Sequence, residues 1–465
     1  MNILIVCAAL VFLMVVAYRG YSVILFAPIA ALGAVLLTDP ALVAPSFSGL
    51  FMEKLASFLK LYFPVFLLGA LFGKVMELSG FAQSIVASMI TLIGANRAIP
   101  AIVAICALLT YGGVSLFVVV FAVYPFAAEM FRKANIPKRL IPGTIALGAF
   151  TFTMDSLPGT PQIQNIIPTT FFKTTIYAAP WLGIIGSVFI LICGLSYLEW
   201  RRRGAARASE GYGENLINEP VVLDHTRLAH PLVALLPLLL VAVTNKIFTV
   251  AIPRVYGETY SFLPSAAAHP TPVSLEISRL VAVWAVQGAL LIGIAAVFCL
   301  AWNQVAARFA EGAKPAIAGA LLAAMNTASE YGFGGVIASL PGFVAVTKVL
   351  DIIHNPLLRE AVTVTTLAGI TGSASGGLSI ALGALPESFV ATSLQAGIPA
   401  EVLHRVAAMA SGGMDTLPHN GAVITLLAVT GLTHRQSYKD IFALTGVKTA
   451  AVFVVIAVYY ATGLV

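Results

Sequence analysis

The sequence predicts an all-α polytopic membrane protein with two inverted-topology repeats, each containing a re-entrant helical hairpin and a broken transmembrane helix. Three observations predict this fold. Of the 465 residues, 59% are hydrophobic and only 10% are charged, which is too little polar surface for a soluble particle of this size. Several motifs occur twice along the chain. In the two halves of the chain, the apolar runs are interrupted at matching positions.

The repeat is visible in three pairs of motifs. Residues 111–116 return as 375–380, residues 134–137 as 396–399, and residues 154–158 as 414–418. The separations are 264 (113 to 377), 262 (136 to 398) and 260 (155 to 415) residues. Two related halves in an apolar chain, each with a Gly-rich and a Pro-containing interruption, are typical of secondary transporters.

The first half contains apolar runs near the length of about 20 residues that crosses a bilayer. Crossings are predicted at 2–18, 21–37, 55–78, 139–172 and 177–198. The crossing 139–172 is expected to be unwound between Asp155 and Pro161. The run 81–95 is predicted to lie in the membrane interface. Residues 97–131 are predicted to form a re-entrant hairpin whose tip is Gly112 and Gly113.

The second half follows the same plan. Crossings are predicted at 229–252, 278–300, 315–341, 400–432 and 441–463, with 400–432 broken between Asp415 and Asn420. The run 343–356 is predicted to be interfacial, and 357–392 to be the second hairpin. Residues 1–198 and 229–465 then form the two repeats, joined by a cytoplasmic linker, 199–228. Five crossings in each repeat give the two halves opposite orientations.

The charge pattern agrees with a membrane protein. The formal charge is +6, and most of the excess lies in short loops that this topology places inside the cell. There is no basic stripe interleaved with aromatic residues, so nucleic acid is not expected as a partner. Residues 2–18 lack a charged start and a cleavage site, which indicates a retained helix. The four cysteines lie in apolar runs, and no cofactor or metal is expected.

Glycine pairs mark the predicted hairpin tips. Gly112, Gly113, Gly376 and Gly377 would let the backbone approach a ligand, with helix N-termini pointing inward from Ser115 and Ser379. Free backbone N–H groups at a helix N-terminus suit an anion such as a carboxylate. The alternative is that the paired glycines only allow close helix packing. Their recurrence beside serine favours a binding role.

Asp155 and Asp415 occupy matching positions after otherwise apolar helices. An acid at bilayer depth is costly, and burial favours its neutral form, so each could carry a proton. The alternative is that each caps the following half-helix. His419 replaces Gly159 of the first half and is a further candidate proton carrier, because imidazole titrates near neutral pH. A structural, hydrogen-bonded histidine is the alternative.

Further polar side chains near the breaks suit a hydroxylated substrate, since hydroxyl and amide groups both donate and accept hydrogen bonds. They are Ser156, Thr160, Gln162, Asn165, Ser375, Thr416 and Asn420. Any single Ser or Thr in a membrane helix usually bonds its own backbone instead. Asn326 and Glu330 lie in the span 315–341, where Glu330 is another intramembrane acid.

The chain resembles the gluconate:proton symporter (GntP) family over nearly its whole length. The likeness is clearest from Tyr111 through 120–125, at 134–137 and at 157–161. It implies uptake of gluconate and related hydroxy or keto acids with protons, by an elevator-like movement of the hairpin-bearing domain. It also implies a homodimer. The chain departs from the family pattern at residues 154–156, where compared members carry His and extra Pro residues. In lacking this pattern the chain is more similar to permeases for short hydroxy acids such as 3-hydroxybutyrate.

These observations predict a proton-coupled symporter in the bacterial inner membrane. Its partners would be protons, membrane lipid and a small organic anion, namely gluconate, a related sugar acid or 3-hydroxybutyrate. The alternative is a sodium-coupled di- or tricarboxylate symporter of the same fold. An enzyme is not expected, because the sequence contains no Gly-x-Ser-x-Gly, His-Glu-x-x-His or Cys/His set. Inverted hairpins around one site also favour a carrier over a channel.

Overall fold

A computed structural model of the protein describes residues 2–19, 21–93, 97–114, 116–214, 216–219, 229–263, 272–343, 352–418 and 420–465. Within these residues the chain is almost wholly helical, and the only strands described are two short ones. The predicted interfacial run 343–356 lies largely outside the described residues. So do Ser115 and His419.

Ten helices make up the described part of the first half. They are α1 Asn2–Tyr18, α2 Val23–Thr38, α3 Met52–Leu78, α4 Phe81–Ile93, α5 Ala98–Tyr111, α6 Leu116–Lys133, α7 Ile141–Ala149, α8 Phe152–Asp155, α9 Ile163–Phe172 and α10 Pro180–Arg207. Short helical turns at Pro40–Leu42, Val43–Pro45 and Ser46–Phe51 lead directly into α3. Helix α10 extends nine residues into the predicted linker.

The described part of the second half contains eight helices and the two strands. They are α11 Pro231–Tyr256, β1 Thr259–Phe262, β2 Val273–Glu276, α12 Ile277–Ser339, α13 Pro356–Thr371, α14 Ala374–Ala384, α15 Pro386–Gln395, α16 Ala400–Gly413, α17 Gly421–Thr430 and α18 His434–Thr462. Helices α14 and α15 bend by 71° at their junction. The second arm of the second predicted hairpin is therefore not straight.

Two expectations about this half were wrong. The segment after α11 forms an antiparallel pair, with Thr259 opposite Glu276 and Phe262 opposite Val273, so the fold is not purely α-helical. Its aromatic and β-branched residues favour strands. Residues 302–314, which lie between the predicted crossings 278–300 and 315–341 and were therefore expected to connect them, are helical because the segment is rich in helix-forming residues.

Helix α12 bends sharply within its 63 residues. Ala301 has non-helical φ −138° and ψ 38°. The rings of Phe298 and Phe309 are 5.1 Å apart, whereas 11 residues of straight helix would separate them by about 16 Å. The two predicted crossings in this region are therefore two arms of one bent helix.

Five described segments are long and apolar enough to cross a membrane. They are Pro40–Leu78, Pro180–Arg207, Pro231–Tyr256, Ile277–Ser339 and His434–Thr462, and the bent α14–α15 pair would be a sixth. Helices α1 and α2 are apolar but shorter. The total of ten crossings stays a prediction, because it also counts these shorter helices, two arms of α12 and the broken helices.

The helices form two groups in contact. Helix α12 packs along α2, α3 and α11, which we call the outer group. Helices α7–α9 and α16, with α10 and α18, surround the helix breaks, and we call them the break group. Contacts of α12 with α9 and α14 join the outer group to the break group and the second hairpin.

Left-handed backbone positions also recur between the halves. Asn135 and Gly397 are matching positions of the motif that repeats at 134–137 and 396–399, and they have φ of 50° and 67°. Lys173 and Gly431, which follow α9 and α17, have φ of 53° and 67°. This recurrence in backbone conformation, in register with the sequence motifs, supports two related halves. Their opposite orientation in the membrane stays a prediction.

Candidate functional site at the paired helix breaks

Two buried carboxylates share one ammonium group at the helix breaks. Asp155 ends α8, Asp415 follows α16, and Lys448 reaches them from α18. The Lys448 Nζ lies 2.7 Å from Asp415 Oδ1 and 3.9 Å from Asp155 Oδ2. It also donates to the Phe150 carbonyl oxygen at 2.8 Å. The exposed fractions of Asp155, Lys448 and Asp415 are 2%, 2% and 7%.

The local sequence explains how Asp155 reaches this position. Its helix α8 is one turn long, because Pro158 and Gly159, with φ +85°, follow Ser156 in an irregular segment. The Ser156 hydroxyl donates to Asp155 Oδ1 at 2.7 Å. Across the interface stands Gly412 of α16, where any Cβ would overlap Asp155 Oδ2. A glycine is therefore required for this approach.

The charge balance of the cluster is uneven. Removing charges from water is costly, and the attraction between opposite charges offsets part of that cost. With both carboxyls ionised, the ammonium of Lys448 matches only one of the two negative charges within 4 Å. A second cation, the guanidinium of Arg405, lies beside Asp155 but bonds its carbonyl oxygen and not its carboxylate.

A buried arginine ties the first break to α16. Arg405 is fully buried and donates through Nη1 to the Asp155 carbonyl oxygen at 3.0 Å and to Asn165 Oδ1 at 3.1 Å. Its Nη2 donates to the Ala178 carbonyl oxygen at 2.7 Å. These acceptors are uncharged, so the guanidinium adds a second cation beside the first break without pairing directly with a carboxylate.

His404 extends this network on the same helix. Its Nδ1 lies 2.6 Å from Thr174 Oγ1, and its Nε2 lies 3.1 Å from Asn165 Oδ1. The Asn165 amide donates to the carbonyl oxygens of Thr160 and Ile176 at 3.0 and 2.9 Å. Asn165 therefore holds the chain on both sides of α9 and is fully satisfied by protein groups.

In each half an amide side chain joins the break to the neighbouring hairpin. Gln162 Nε2 donates to the Thr110 carbonyl oxygen at 2.8 Å, and Asn420 Nδ2 donates to the Gly372 carbonyl oxygen at 2.8 Å. Donors and acceptors thus lie at nearly corresponding places in the two halves. Asn420 also caps α17, since its Oδ1 accepts from the N–H of Ala422 at 2.7 Å.

The remaining hydroxyls predicted at the breaks bond within the protein. Thr160 Oγ1 donates to the Thr153 carbonyl oxygen at 2.6 Å, and the hydroxyls of Thr416 and Thr445 are 2.6 Å apart. Thr160 and Thr416 are buried. The hydroxyls of Thr160 and Thr416 therefore stabilise the breaks in this arrangement. Of the predicted hydroxyls, that of Ser156 bonds an aspartate side chain.

The first hairpin turns at the predicted glycines. Gly112 follows α5 and packs so closely on Leu238 of α11 that a Cβ would overlap that side chain. Gly113 has φ +94° and faces Pro161 of the first break. The tip therefore meets both the outer group and the break. The predicted Ser115 lies outside the described residues.

The predicted tip of the second hairpin was wrong. The chain breaks at Gly372, with φ +66°, and Ser373, whose Oγ accepts from the Gly376 N–H at 3.0 Å. Gly376 and Gly377 lie inside α14, so they do not form a tip. Gly377 packs against the backbone of α13. Here the glycine pair permits close packing, which was the alternative interpretation.

Because the second hairpin turns at Gly372 and Ser373, two predicted serines do not lie where the sequence placed them. Ser379 lies in the middle of α14 and is not at a helix N-terminus. Ser375 is one residue past the first residue of α14, and its hydroxyl lies 3.1 Å from Thr327 Oγ1 of α12. Helix α14 begins with a serine cap, so part of its N-terminal N–H set is already bonded.

An open pocket of about 390 Å³ lies elsewhere, where the start of α5 meets the end of α10. Its lining includes Arg97, Pro100, Leu195, Glu199 and Arg202, and none of the break residues. The charged cluster is therefore separate from this pocket.

Comparison with known proteins decides the class of the chain. It is 59% identical over 475 residues to the "Uncharacterized transporter YxjC" of Bacillus subtilis (strain 168), and the match covers 100% of each sequence. The chain belongs to the transporter family of YxjC. The protein is a membrane transporter, and the prediction that it is not an enzyme is confirmed.

A solved structure supports the same class of fold. The crystal structure of the Alcanivorax borkumensis YdaH transporter covers 92% of this chain and 90% of its own, with 15% identity and a TM-score of 0.50. At this identity the likeness concerns the fold alone. No protein-family model matches the chain.

Three charged residues at the helix breaks were not predicted from the sequence. Lys448 lies in the predicted crossing 441–463, and His404 and Arg405 lie in 400–432. Ionisable residues inside membrane spans are rare and usually functional, so their position alone could have identified them. They do not belong to the repeated motifs, because the first half has no charged residue at the corresponding positions.

Proposed function

We propose that the protein is a proton-coupled symporter, related in mechanism to the gluconate:proton symporter family, in the bacterial inner membrane. Its proposed substrate is a small hydroxy monocarboxylate such as gluconate, a related sugar acid or 3-hydroxybutyrate. The observation that carries this proposal is the pairing of Asp155 and Asp415 with one ammonium, that of Lys448.

The uneven charge supports proton binding. Protonation of one aspartate leaves a matched carboxylate–ammonium pair in a low-dielectric surrounding, which costs less than two carboxylates with one cation. The Lys448 ammonium bonds Asp415 in the described arrangement and lies 3.9 Å from Asp155. A small shift of this flexible side chain would exchange the partners. We therefore propose that Asp155 and Asp415 carry the coupled proton, with His419 as a further candidate.

The same geometry favours protons over sodium. A cation that bridged the two carboxylates would occupy the position that the Lys448 ammonium holds. The ammonium of Lys448 thus occupies the position between the two carboxylates where a metal ion would bind. The sodium-coupled di- or tricarboxylate symporter remains the alternative function, and the experiment below separates the two.

The substrate anion is proposed to bind where the hairpins meet the breaks. The backbone N–H groups of Gly112, Gly113 and Val114 bond carbonyl oxygens of α5, so we propose that the N–H groups at the starts of α6 and α14 receive the carboxylate. Ser375 and Ser156 supply hydroxyls that could exchange their present partners for substrate hydroxyls. An anion entering a negative cell is opposed by about 2.3 kcal/mol per charge per 100 mV. At least one accompanying proton cancels that term.

Inverted repeats, an elevator-like movement and a homodimer complete the proposal. The contacts between α12 and α14 include close glycine packing at Gly334 and Gly376, which suits surfaces that separate and return. In this view the outer group stays fixed while the hairpins and break group move. The partner copy would contact the outer group.

The test uses purified protein in proteoliposomes that contain a pH dye. Gluconate, 3-hydroxybutyrate, lactate and citrate are added outside in sodium-free buffer, with protein-free liposomes as the control. We expect internal acidification with one hydroxy monocarboxylate and none with citrate. A flat response to all four acids that sodium restores would contradict proton coupling and support the sodium-coupled alternative.

A further inference from the structure

Glu330 is a buried acid at the contact between α12 and the second hairpin. It is 2% exposed, and its Oε2 lies so close to Gly376 of α14 that a Cβ there would overlap it. The Ser373 hydroxyl, at the cap of α14, lies within hydrogen-bonding reach of the carboxyl. Oε2 itself has no hydrogen-bond partner among the described residues.

The surrounding contact between the two helices is close and extended. The hydroxyls of Thr327 and Ser375 are 3.1 Å apart, and a Cβ at Gly334 would lie 3.1 Å from the Cα of Ile380. Helices α12 and α14 therefore run side by side through the position of Glu330. This contact joins the outer group to the second hairpin, so any movement of the hairpin relative to α12 changes the surroundings of Glu330.

Hydroxyl groups without partners lie on the same two helices. Ser329 of α12 and Ser379 of α14 are each 1% exposed, and neither hydroxyl has a hydrogen-bond partner among the described residues. Ser379 is three residues from Gly376, which places the two on neighbouring positions of α14. Buried polar groups are normally satisfied, so the unpartnered hydroxyl of Ser379 beside Gly376 is unusual for a buried group.

No cation balances the carboxyl of Glu330 within the described residues. No Lys, Arg or His nitrogen there lies within 4 Å of it, in contrast to the 2.7 Å between Lys448 and Asp415. Helices α2, α9 and α14 and the turn Ser46–Phe51, which pack on α12, contain no charged residue.

Helices α3 and α11 also pack on α12, and their charged residues do not pair with Glu330. On α3, Lys54 lies 5.7 Å above the ring of Tyr331 and packs on Gly335, and Lys74 pairs with Glu77. The other charged residues of α3, Glu53 and Lys60, are exposed. Those of α11 are Lys246, over the Tyr177 ring, and Arg254, in the last turn.

We infer that Glu330 is a second proton-binding site, and that it holds its proton when the second hairpin lies against α12. An ionised carboxylate without a cation is strongly disfavoured in this buried, apolar contact, whereas the neutral acid is tolerated. When the hairpin leaves α12, water reaches the carboxyl and the proton can dissociate. Docking of the hairpin thus requires a proton. This inference rests on the proposed proton-coupled function and adds a site distinct from the aspartate–lysine cluster.

The ligand is a proton and not a metal ion, on steric grounds. Oε2 touches the backbone of Gly376, and a proton on that oxygen needs no additional volume. A sodium ion would require several oxygens at bonding distance around an open space. Movement of α14 away from α12 would be needed to make that space.

The inference is tested with Glu330→Gln, which keeps the shape of the side chain and cannot ionise. Proteoliposomes measure the number of protons moved per substrate molecule, with substrate exchange as the check on folding. We expect exchange to persist and the proton count to fall by one. Accumulation under a pH difference of one unit should then fall about tenfold, because each coupled proton contributes a factor of ten per unit. Glu387→Gln, on the exposed side of α15, is the matched control and should leave both values unchanged.

The outcomes separate the two proposals. Wild-type acidification with an unchanged proton count in Glu330→Gln would overturn the inference and leave the proposed function standing. Absence of proton movement in the wild type would overturn the proposed function itself.

If Glu330→Gln loses substrate exchange, a second measurement tests the inference. The pair Thr327→Cys and Ser375→Cys, in a chain whose four native cysteines are replaced by alanine, reports docking through disulfide formation. Disulfide formation itself becomes faster as the pH rises, because the thiolate is the reacting species. Relative to Glu330→Gln at each pH, the cross-linked fraction of the chain with Glu330 should fall as the pH rises. An equal pH dependence of cross-linking in the two chains would overturn the inference.

Discussion

Lys448→Met is expected to abolish transport and to lower the free energy of unfolding by about 3–5 kcal/mol, the usual cost of breaking a buried ion pair. The substitution keeps the length of the side chain and removes its charge. Asp415 would lose its partner at 2.7 Å, and the Phe150 carbonyl oxygen would lose a donor. No cation of the described residues would then remain within 4 Å of either carboxyl. Thermal unfolding in detergent and substrate uptake in proteoliposomes measure the two effects.

The double variant Lys448→Met with Asp415→Asn is the control. It removes both members of the close pair, so the destabilisation should be smaller than in Lys448→Met alone, because no uncompensated charge remains at residue 415. Proton-driven uptake should stay absent. Normal proton-driven uptake in Lys448→Met alone would show that the ammonium has no part in transport.

Arg405→Lys is expected to lower the free energy of unfolding by about 3 kcal/mol, although it keeps the positive charge, since each lost bond from a charged donor costs about 1.5–3 kcal/mol. Its guanidinium donates to Asn165 and to the backbone oxygens of Asp155 and Ala178. One ammonium cannot reproduce this planar geometry. The first break and the chain before α10 should then detach from α16. Unfolding is measured by fluorescence of a thiol-reactive dye at Cys106, which is buried in α5, in a chain whose other three cysteines are replaced by alanine.

Arg435→Lys is the matched control, because Arg435 is exposed in the first turn of α18. Substitutions at such surface positions usually change the free energy of unfolding by no more than about 0.5 kcal/mol. Equal unfolding temperatures for Arg405→Lys and Arg435→Lys would show that the buried network around Arg405 does not hold the break in place.

The internal repeat made part of the site predictable. It paired Asp155 with Asp415 and placed both at interruptions of apolar helices, and the structure brings both to one ammonium. Interruptions could be located because Pro and Gly end helices for local steric reasons. The same reasoning placed Gln162 and Asn420 near the hairpins but could not show that their amides bond the hairpin carbonyls.

Other parts of the site depended on differences between the halves. Lys448 and Arg405 have no counterpart in the first repeat, so an interpretation guided by symmetry missed them. The second tip was misplaced for the same reason, since the glycine pair was aligned with Gly112 and Gly113. Gly372 and the cap formed by Ser373 end α13 four residues earlier. The bend at Ala301 falls directly after the predicted crossing 278–300, whereas the helical conformation of the residues up to 314 was not predicted.

Proton-driven accumulation by Asp415→Asn tests whether the carboxyl of Asp415 carries the coupled proton. Sodium-free proteoliposomes are given an inward proton gradient and a labelled hydroxy monocarboxylate, and the internal concentration is followed for wild type and variant. The account predicts uphill accumulation by the wild type and none by Asp415→Asn, because asparagine cannot bind and release the coupled proton. Undiminished gradient-driven uptake by Asp415→Asn would contradict it.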